Sequence, residues 1–197
     1  MPDLILASQS PRRRDLLNAA GFVFTVIPPD VDETPRSGES PEVFACRVAA
    51  DKARAVAGRL PPDSGPRVIV GCDTVVTIDG EILGKPSNKA DAARMLHQLS
   101  GRVHQVISGL CVLLQTAPGD REEKTQAVVT EVEFRALTET EIFRYVSTGD
   151  PMDKAGAYAI QGGAAHLVAA ARGSYTNVIG LPVEILFPIL DALGVSR

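Results

Sequence analysis

The residues able to do chemistry gather around one stretch, Val68-Ile69-Val70-Gly71-Cys72-Asp73-Thr74-Val75-Val76. Its apolar residues fall on both sides of the alternation, which predicts a strand buried on both faces in the middle of a sheet. Asp73 interrupts that strand just after a glycine. A buried carboxylate needs cations or donors around it, so Asp73 is either part of a polar site or the cap of a neighbouring loop, and both readings stay open on this stretch alone. Asp79-Gly80, between apolar runs, predicts a two-residue hairpin turn. That turn sets Ile78 opposite Glu81, Thr77 opposite Ile82 and Thr74 opposite Lys85. A carboxylate, a hydroxyl and an ammonium at one strand end suit a polyanion.

Two further groups could serve the same ligand. Ser10 is a good N-cap, Pro11 suits the first helical position, and Arg12, Arg13 and Arg14 then fill the first turn. The helix dipole disfavours cations there, a cost that makes sense if an anion binds to the free N–H groups and the arginines together. Arg13 shares the inward face of Leu16 and Leu17, whereas Arg14 is expected to be solvated. No Walker A loop occurs in the chain. The loop Asp30-Val31-Asp32-Glu33-Thr34 clusters carboxylates, which suits a hard divalent cation or is simply a solvated acidic loop. In the helix that starts at Ser40-Pro41-Glu42, Lys52 falls on the apolar stripe of Phe44, Val48 and Val56. It either snorkels or points at a bound polyanion. Near the C-terminal end, Gln161 lies in the Gly-rich, mostly apolar segment Asp153–Gly163, where an amide could read a base edge by paired hydrogen bonds.

The elements that must position these groups read as alternating strands and helices. Strands are expected at Leu4–Ala7, Phe22–Ile27, Val103–Gln115 and Gln126–Arg135. Helices are expected at Asn88–Leu99, from the capping box Thr138-Glu139-Thr140-Glu141 to Gly149, and at Pro182–Leu193 with a kink near Pro188. Leu60 to Arg67 and the region around Pro118-Gly119-Asp120 read as loops. His104 is expected to be a structural hydrogen bonder. At 197 residues, 45% hydrophobic and without Trp, the chain fits one domain, or two lobes sharing one sheet. A net charge of −4 argues against a general nucleic-acid binder. Cys46, Cys72 and Cys111 lack C-x-x-C spacing, which argues for reduced thiols in a cytosol. No apolar run is long enough to span a membrane and no signal peptide is seen.

The segments LASQSPRRRDLL, GCDTVV with its following GKP, SGRVHQVISG, DKAGAYAIQG and GSYTNVIGLP, in that order and over nearly the whole chain, resemble the Maf family. The resemblance implies a single Maf-like domain over 1–197: an α/β fold with an elongated mixed sheet flanked by helices, in two lobes around a central cleft. It implies a nucleoside triphosphate pyrophosphatase that releases a nucleoside monophosphate and pyrophosphate; the charge of a triphosphate then calls for a divalent cation, Mg²⁺ or Mn²⁺. Ser10 and Arg13 match the family's phosphate-binding S-x-x-R; Glu33, Lys52, Asp73 and Lys85 match its polar cleft residues. Arg12, Thr74 and Gln161 match the branch acting on dTTP and UTP. The sister branch, acting on 7-methylguanosine triphosphate, has tryptophan, glutamine and glutamate there. Ala169, Ala170 and Ala171 replace positions that are often charged.

On that basis Arg13, Lys52 and Lys85 are the expected cationic cradle, Glu33 and Asp73 the metal ligands, and Asp73 the general base, with the division of labour between the two carboxylates left open. The expected partner is the nucleotide substrate, with no stable nucleic acid, no membrane and a homodimer to be tested, in the cytoplasm. A non-catalytic nucleotide sensor in septum formation is the alternative. A purely structural or nucleic-acid-binding protein is disfavoured by the acidic charge and the inward Arg13 and Lys52.

Overall fold

The computed structural model describes residues 1–61, 65–117 and 120–197. Part of the loop expected between Leu60 and Arg67, and the Pro118-Gly119 step, lie outside the described residues. The described residues form a mixed seven-stranded sheet with helices packed against it. Strand β1 (Asp3–Ala7) pairs in parallel with β2 (Phe24–Val26) and with β3 (Arg67–Ile78). The order then continues through β5 (Val103–Ala117), β6 (Asp120–Phe134) and β7 (Val168–Arg172), while β4 (Glu81–Leu83) pairs with β3. The chain divides into two compact units. The first comprises residues 1–73, 108–128 and 180–197; the second comprises 74–107 and 129–179.

The first unit is built on the two faces of β3. Val68, Val70 and Cys72 point to one face and pack with Leu4, Leu6 and Leu17, the last from α1 (Pro11–Ala19), and with Leu186 and Leu190 of the C-terminal helix Val183–Ala192. Ile69 points to the other face, against Ala49, Ala53 and Val56 of α2 (Pro41–Ala57). This is the doubly buried strand expected from its two-sided apolar pattern. Helix α2 is capped by Ser40, whose Oγ accepts from the Val43 amide at 3.3 Å, and it carries Glu42 in its first turn and Arg54 in its last, in keeping with the dipole. Its contact face is made of small residues because the sheet beneath is made of glycine at two points. A β-carbon at Gly71 would lie 2.1 Å from the Ala49 carbonyl oxygen, and one at Gly109 would lie 2.1 Å from that of Ala45. The helix backbone therefore rests directly on the strands.

In the second unit the hairpin forms in the expected register, Ile78 opposite Glu81 and Thr77 opposite Ile82. Asp79 and Gly80 both take positive φ, at 53° and 81°, as a two-residue turn of this hand requires. The ladder stops at Val76–Leu83, so Thr74 and Lys85 are not cross-strand partners. The next carbonyl, that of Gly84, accepts instead from the Gly156 amide at 3.1 Å. Helix α3 (Lys89–Leu99) is capped by Asn88, and α4 (Glu139–Ser147) opens with the capping box of Thr138 and Glu141. His104 is buried, with Nε2 2.7 Å from the Tyr158 hydroxyl and its ring edge-on to Phe134 and Tyr158. Burial pushes its pKa down to about 4, so it is a neutral structural residue, as expected.

Several elements differ from expectation: the short helix Tyr175–Ile179 and the 3-10 turn Gly162–Leu167 have no counterpart in the sequence pattern, and β5 runs past Gln115 to Ala117. Strand β2 is shorter than Phe22–Ile27. Strand β6 begins at Asp120 rather than Gln126, because its charged first half keeps its side chains in water while its backbone pairs with β5. Strand β7 was not expected at all: its alanines carry no strand pattern, and pairing to β6, with an irregularity between Glu133 and Phe134, holds it in place.

Candidate active site

Asp73 lies two residues beyond Gly71, so it faces the same side of β3, toward α2. The close seating of α2 on Gly71 brings Lys52 down to it. Lys52 Nζ donates to Asp73 Oδ1 at 2.7 Å and lies 2.8 Å from Glu33 Oε1. Lys52 and Asp73 are buried, whereas the Glu33 side chain is 53% exposed. The snorkelling alternative for Lys52 is thus excluded: its ammonium bridges two carboxylates. The arrangement also fits a hard cation. Two carboxylate oxygens converge on one point that now holds a positive charge, and Mg²⁺ is commonly held by one or two carboxylates with the rest of its shell from water and phosphate. Among the described residues no group of three or more His, Cys, Asp or Glu gathers as a metal site.

Glu33 is held through its backbone. The Thr34 amide donates to Asp32 Oδ1 at 2.9 Å, and hydrogen bonding from Thr34 lowers the Asp32 pKa. The Thr34 carbonyl accepts from Arg47 Nη2 at 3.0 Å. At the start of the same loop the Pro28 carbonyl accepts from Arg59 at 2.6 Å. Neither arginine was singled out in the sequence, where both look like ordinary charges on a helix and its end.

Helix α1 begins as expected, with Ser10 Oγ accepting from the Arg13 amide at 3.5 Å and Pro11 in the first position. Arg13 is buried, and Arg14 is exposed beside Asp15. The Arg13 guanidinium engages main-chain carbonyls: Nε donates to Gly180 at 2.7 Å and Nη1 to Cys72 at 2.7 Å, with Ser8 Oγ 3.2 Å from Nη1. It therefore ties α1 and the segment after residue 179 to β3 immediately before Asp73. Ser8 and Gly180 are further partners that the sequence reading missed. A pocket of about 480 Å³ beside α2, lined by residues including Val43, Cys46, Arg54 and Glu123, contains none of the predicted site residues.

A family model described as Maf-like protein matches residues 3–193. The chain belongs to the Maf family. Similar Maf relatives are named dTTP/UTP pyrophosphatase. That of Geobacter sulfurreducens is 52% identical, the alignment covering 97% of this chain and 96% of the relative. That of Citrifermentans bemidjiense is 49% identical, covering 98% and 94%. Among solved structures, a HAM1 protein from Coxiella burnetii has a similar fold, with a TM-score of 0.51 at 17% identity, covering 98% of this chain and all of that one.

Of the residues expected at the site, Ser10, Arg12, Arg13, Glu33, Lys52 and Asp73 belong to the first unit, and Thr74, Lys85 and Gln161 to the second. Arg12 and Thr74 are half-buried; Lys85 and Gln161 are exposed. Gln161 immediately precedes a 3-10 turn, Gly162–Leu167, and its side chain makes no capping hydrogen bond. The Maf segment DKAGAYAIQG is anchored upstream by the buried Lys154, whose ammonium donates to Asp153 Oδ1 at 2.7 Å and to Asp150 Oδ1 at 3.1 Å.

Proposed function

We propose that the protein is a nucleoside triphosphate pyrophosphatase that hydrolyses dTTP and UTP to the nucleoside monophosphate and pyrophosphate. The observation that carries this reading is the buried Asp73–Lys52 pair with Glu33 on the same ammonium, at 2.7 and 2.8 Å. There an ammonium stands between two carboxylates, a grouping that supports phosphate-cleaving chemistry. Relatives at about half identity over nearly the full chain, named for this activity, support the reading.

In the proposed reaction Asp73 takes a proton from a water whose oxygen attacks the α-phosphorus. The bond from that phosphorus to the bridging oxygen breaks, and pyrophosphate leaves with the electron pair. Lys52 turns from the carboxylates to the phosphates, and Lys85 and the positive end of the α1 dipole add positive charge. Arg13 acts on the phosphates chiefly through the helix entry that it anchors. Glu33 and Asp73 would hold the divalent cation, Mg²⁺ or Mn²⁺, which supplies charge neutralisation at phosphate when bound. Gln161, with Arg12 and Thr74, selects the base.

No helix among the described residues is long and apolar enough to cross a membrane. The three free thiols suit a reducing cytoplasm, and a homodimer is the assembly to test by sedimentation. The deciding experiment incubates the protein with each common nucleoside triphosphate and Mg²⁺ and measures pyrophosphate. Release from dTTP and UTP, abolished by EDTA and restored by Mg²⁺ or Mn²⁺, is expected. Nucleotide binding without pyrophosphate would replace the enzyme by a sensor.

A further inference from the structure

Glu33 is half exposed, and its carboxylate pairs with the Lys52 ammonium. Packing does not hold it, so its position depends on the backbone beside it. That backbone is fixed by Arg47, five residues before Lys52 on α2. Arg47 Nε donates to Glu39 Oε1 at 2.6 Å and Nη2 to Glu39 Oε2 at 2.9 Å, while Nη2 also reaches the Thr34 carbonyl at 3.0 Å. Glu39 in turn accepts from the Arg36 amide at 3.0 Å. The Arg47 guanidinium lies 5.3 Å from the Phe44 ring centroid and 3.6 Å from Asp51, which fixes its plane on the helix. The pair is well covered, the side chains being 14% and 6% exposed, and the Arg47 hydrogen bonds bring the Glu39 carboxyl down to about 2.

We propose that Arg47 is a positioning residue for Glu33: the Arg47–Glu39 fork clasps residues 34–39 to α2, so that Glu33 and Lys52 are referred to the same helix. This rests on the reading of Glu33 as part of the phosphate-cleaving site. Only a planar guanidinium can engage a carboxylate with two nitrogens and still reach a neighbouring carbonyl. Releasing it would leave Lys52 and Asp73 paired while the Glu33 carboxylate wanders.

Two measurements test this. The first is amide hydrogen exchange of residues 32–37 in the wild-type protein and in Arg47→Gln, without nucleotide. The Arg36 amide should exchange at least ~10-fold faster in the variant, as expected when a local closure is lost; unchanged exchange overturns the proposal whether or not the protein is an enzyme. The second is turnover of dTTP in two backgrounds. Arg47→Gln should lower kcat roughly tenfold in the wild-type protein, a typical cost of a misplaced group, and less than about twofold in Glu33→Gln. Equal losses in both backgrounds would mean that Arg47 acts on the fold at large. Arg47→Lys should recover the melting temperature but not kcat, and recovery of both overturns the clasp. Glu39→Gln, which releases the fork from the other side, should repeat the Arg47→Gln pattern if that variant folds poorly. Wild-type protein inactive on every triphosphate would instead refute the functional reading and leave the exchange result to decide on Arg47.

Discussion

Gly71 and Ala49 touch through their backbones: a β-carbon on the strand residue would stand 2.1 Å from the helix carbonyl oxygen. The same contact sets the height of α2 above Asp73, and so the 2.7 Å between Lys52 and that carboxylate. Gly71→Ala must lift the helix. It should destabilise the protein by about 1–3 kcal/mol, the usual cost of overpacking, and reduce turnover as well. Denaturant unfolding and dTTP hydrolysis measured on one preparation check both, and an alanine variant with wild-type stability would show that α2 has room to rise.

Asp73→Asn keeps the shape of the side chain and removes its ability to take a proton. Turnover should fall by ~10²-fold or more while the melting temperature changes little. Lys52 still has Glu33 as a partner in that variant, so the ammonium is not stranded. Near-normal turnover would remove Asp73 from the role of base.

The Gln161 amide can donate to a carbonyl and accept from N3–H of uracil or thymine at once, and it is not engaged in capping the turn that follows it. Cytosine presents N3 without that hydrogen, and a mismatched buried polar group costs about 1–3 kcal/mol, roughly ten- to a hundredfold in rate. dTTP and UTP should therefore lead CTP and the purine triphosphates. Gln161→Glu offers only acceptors at neutral pH and should weaken dTTP and UTP hydrolysis selectively. Competition among all common triphosphates reads the ranking, and an unchanged order in the variant removes Gln161 from the base pocket.

His104 gives stability a defined pH dependence. Its folded pKa is about 4, below the ordinary 6.5, because burial disfavours the imidazolium. Between those values the unfolded chain takes up a proton that the folded chain refuses, so stability is greatest above pH 6.5 and falls as pH drops toward 4. The loss is of order 3 kcal/mol. Glu39 and Glu141, each held at about 2 by an arginine, lose their contributions only below the ordinary 4.5. Melting temperatures from pH 7.5 to 4.5 should therefore decline in the wild-type protein and flatten in His104→Gln; parallel curves would exonerate the histidine.

Asp73 and Lys52 were legible in the sequence because each places a charge where the periodicity demands an aliphatic residue. The hairpin was legible because Asp79-Gly80 has few other uses. Glu33 could be singled out only as one acid among several, since a loop has no period to violate. The Arg47–Glu39 clasp left no trace: its members lie eight residues apart across a helix entry, and each alone is an ordinary surface charge. The partners of Arg13 were equally hidden, because main-chain carbonyls are present at every position and no residue type announces the one that will be used. Strand β7 was invisible because its alanines owe their conformation to β6.

The Arg13 contacts also impose an order of events on biosynthesis. Its guanidinium is buried, yet one acceptor, the Gly180 carbonyl, lies 167 residues further along the chain. While the ribosome is still making the second unit, that acceptor does not exist, and closing α1 onto β3 would bury a cation short of a hydrogen bond. The first unit should therefore stay open until the last segment emerges, with its apolar β3 accessible to chaperones for most of translation. A nascent chain arrested before residue 180 would then carry Asp73 and Lys52 without the lock that completes their surroundings.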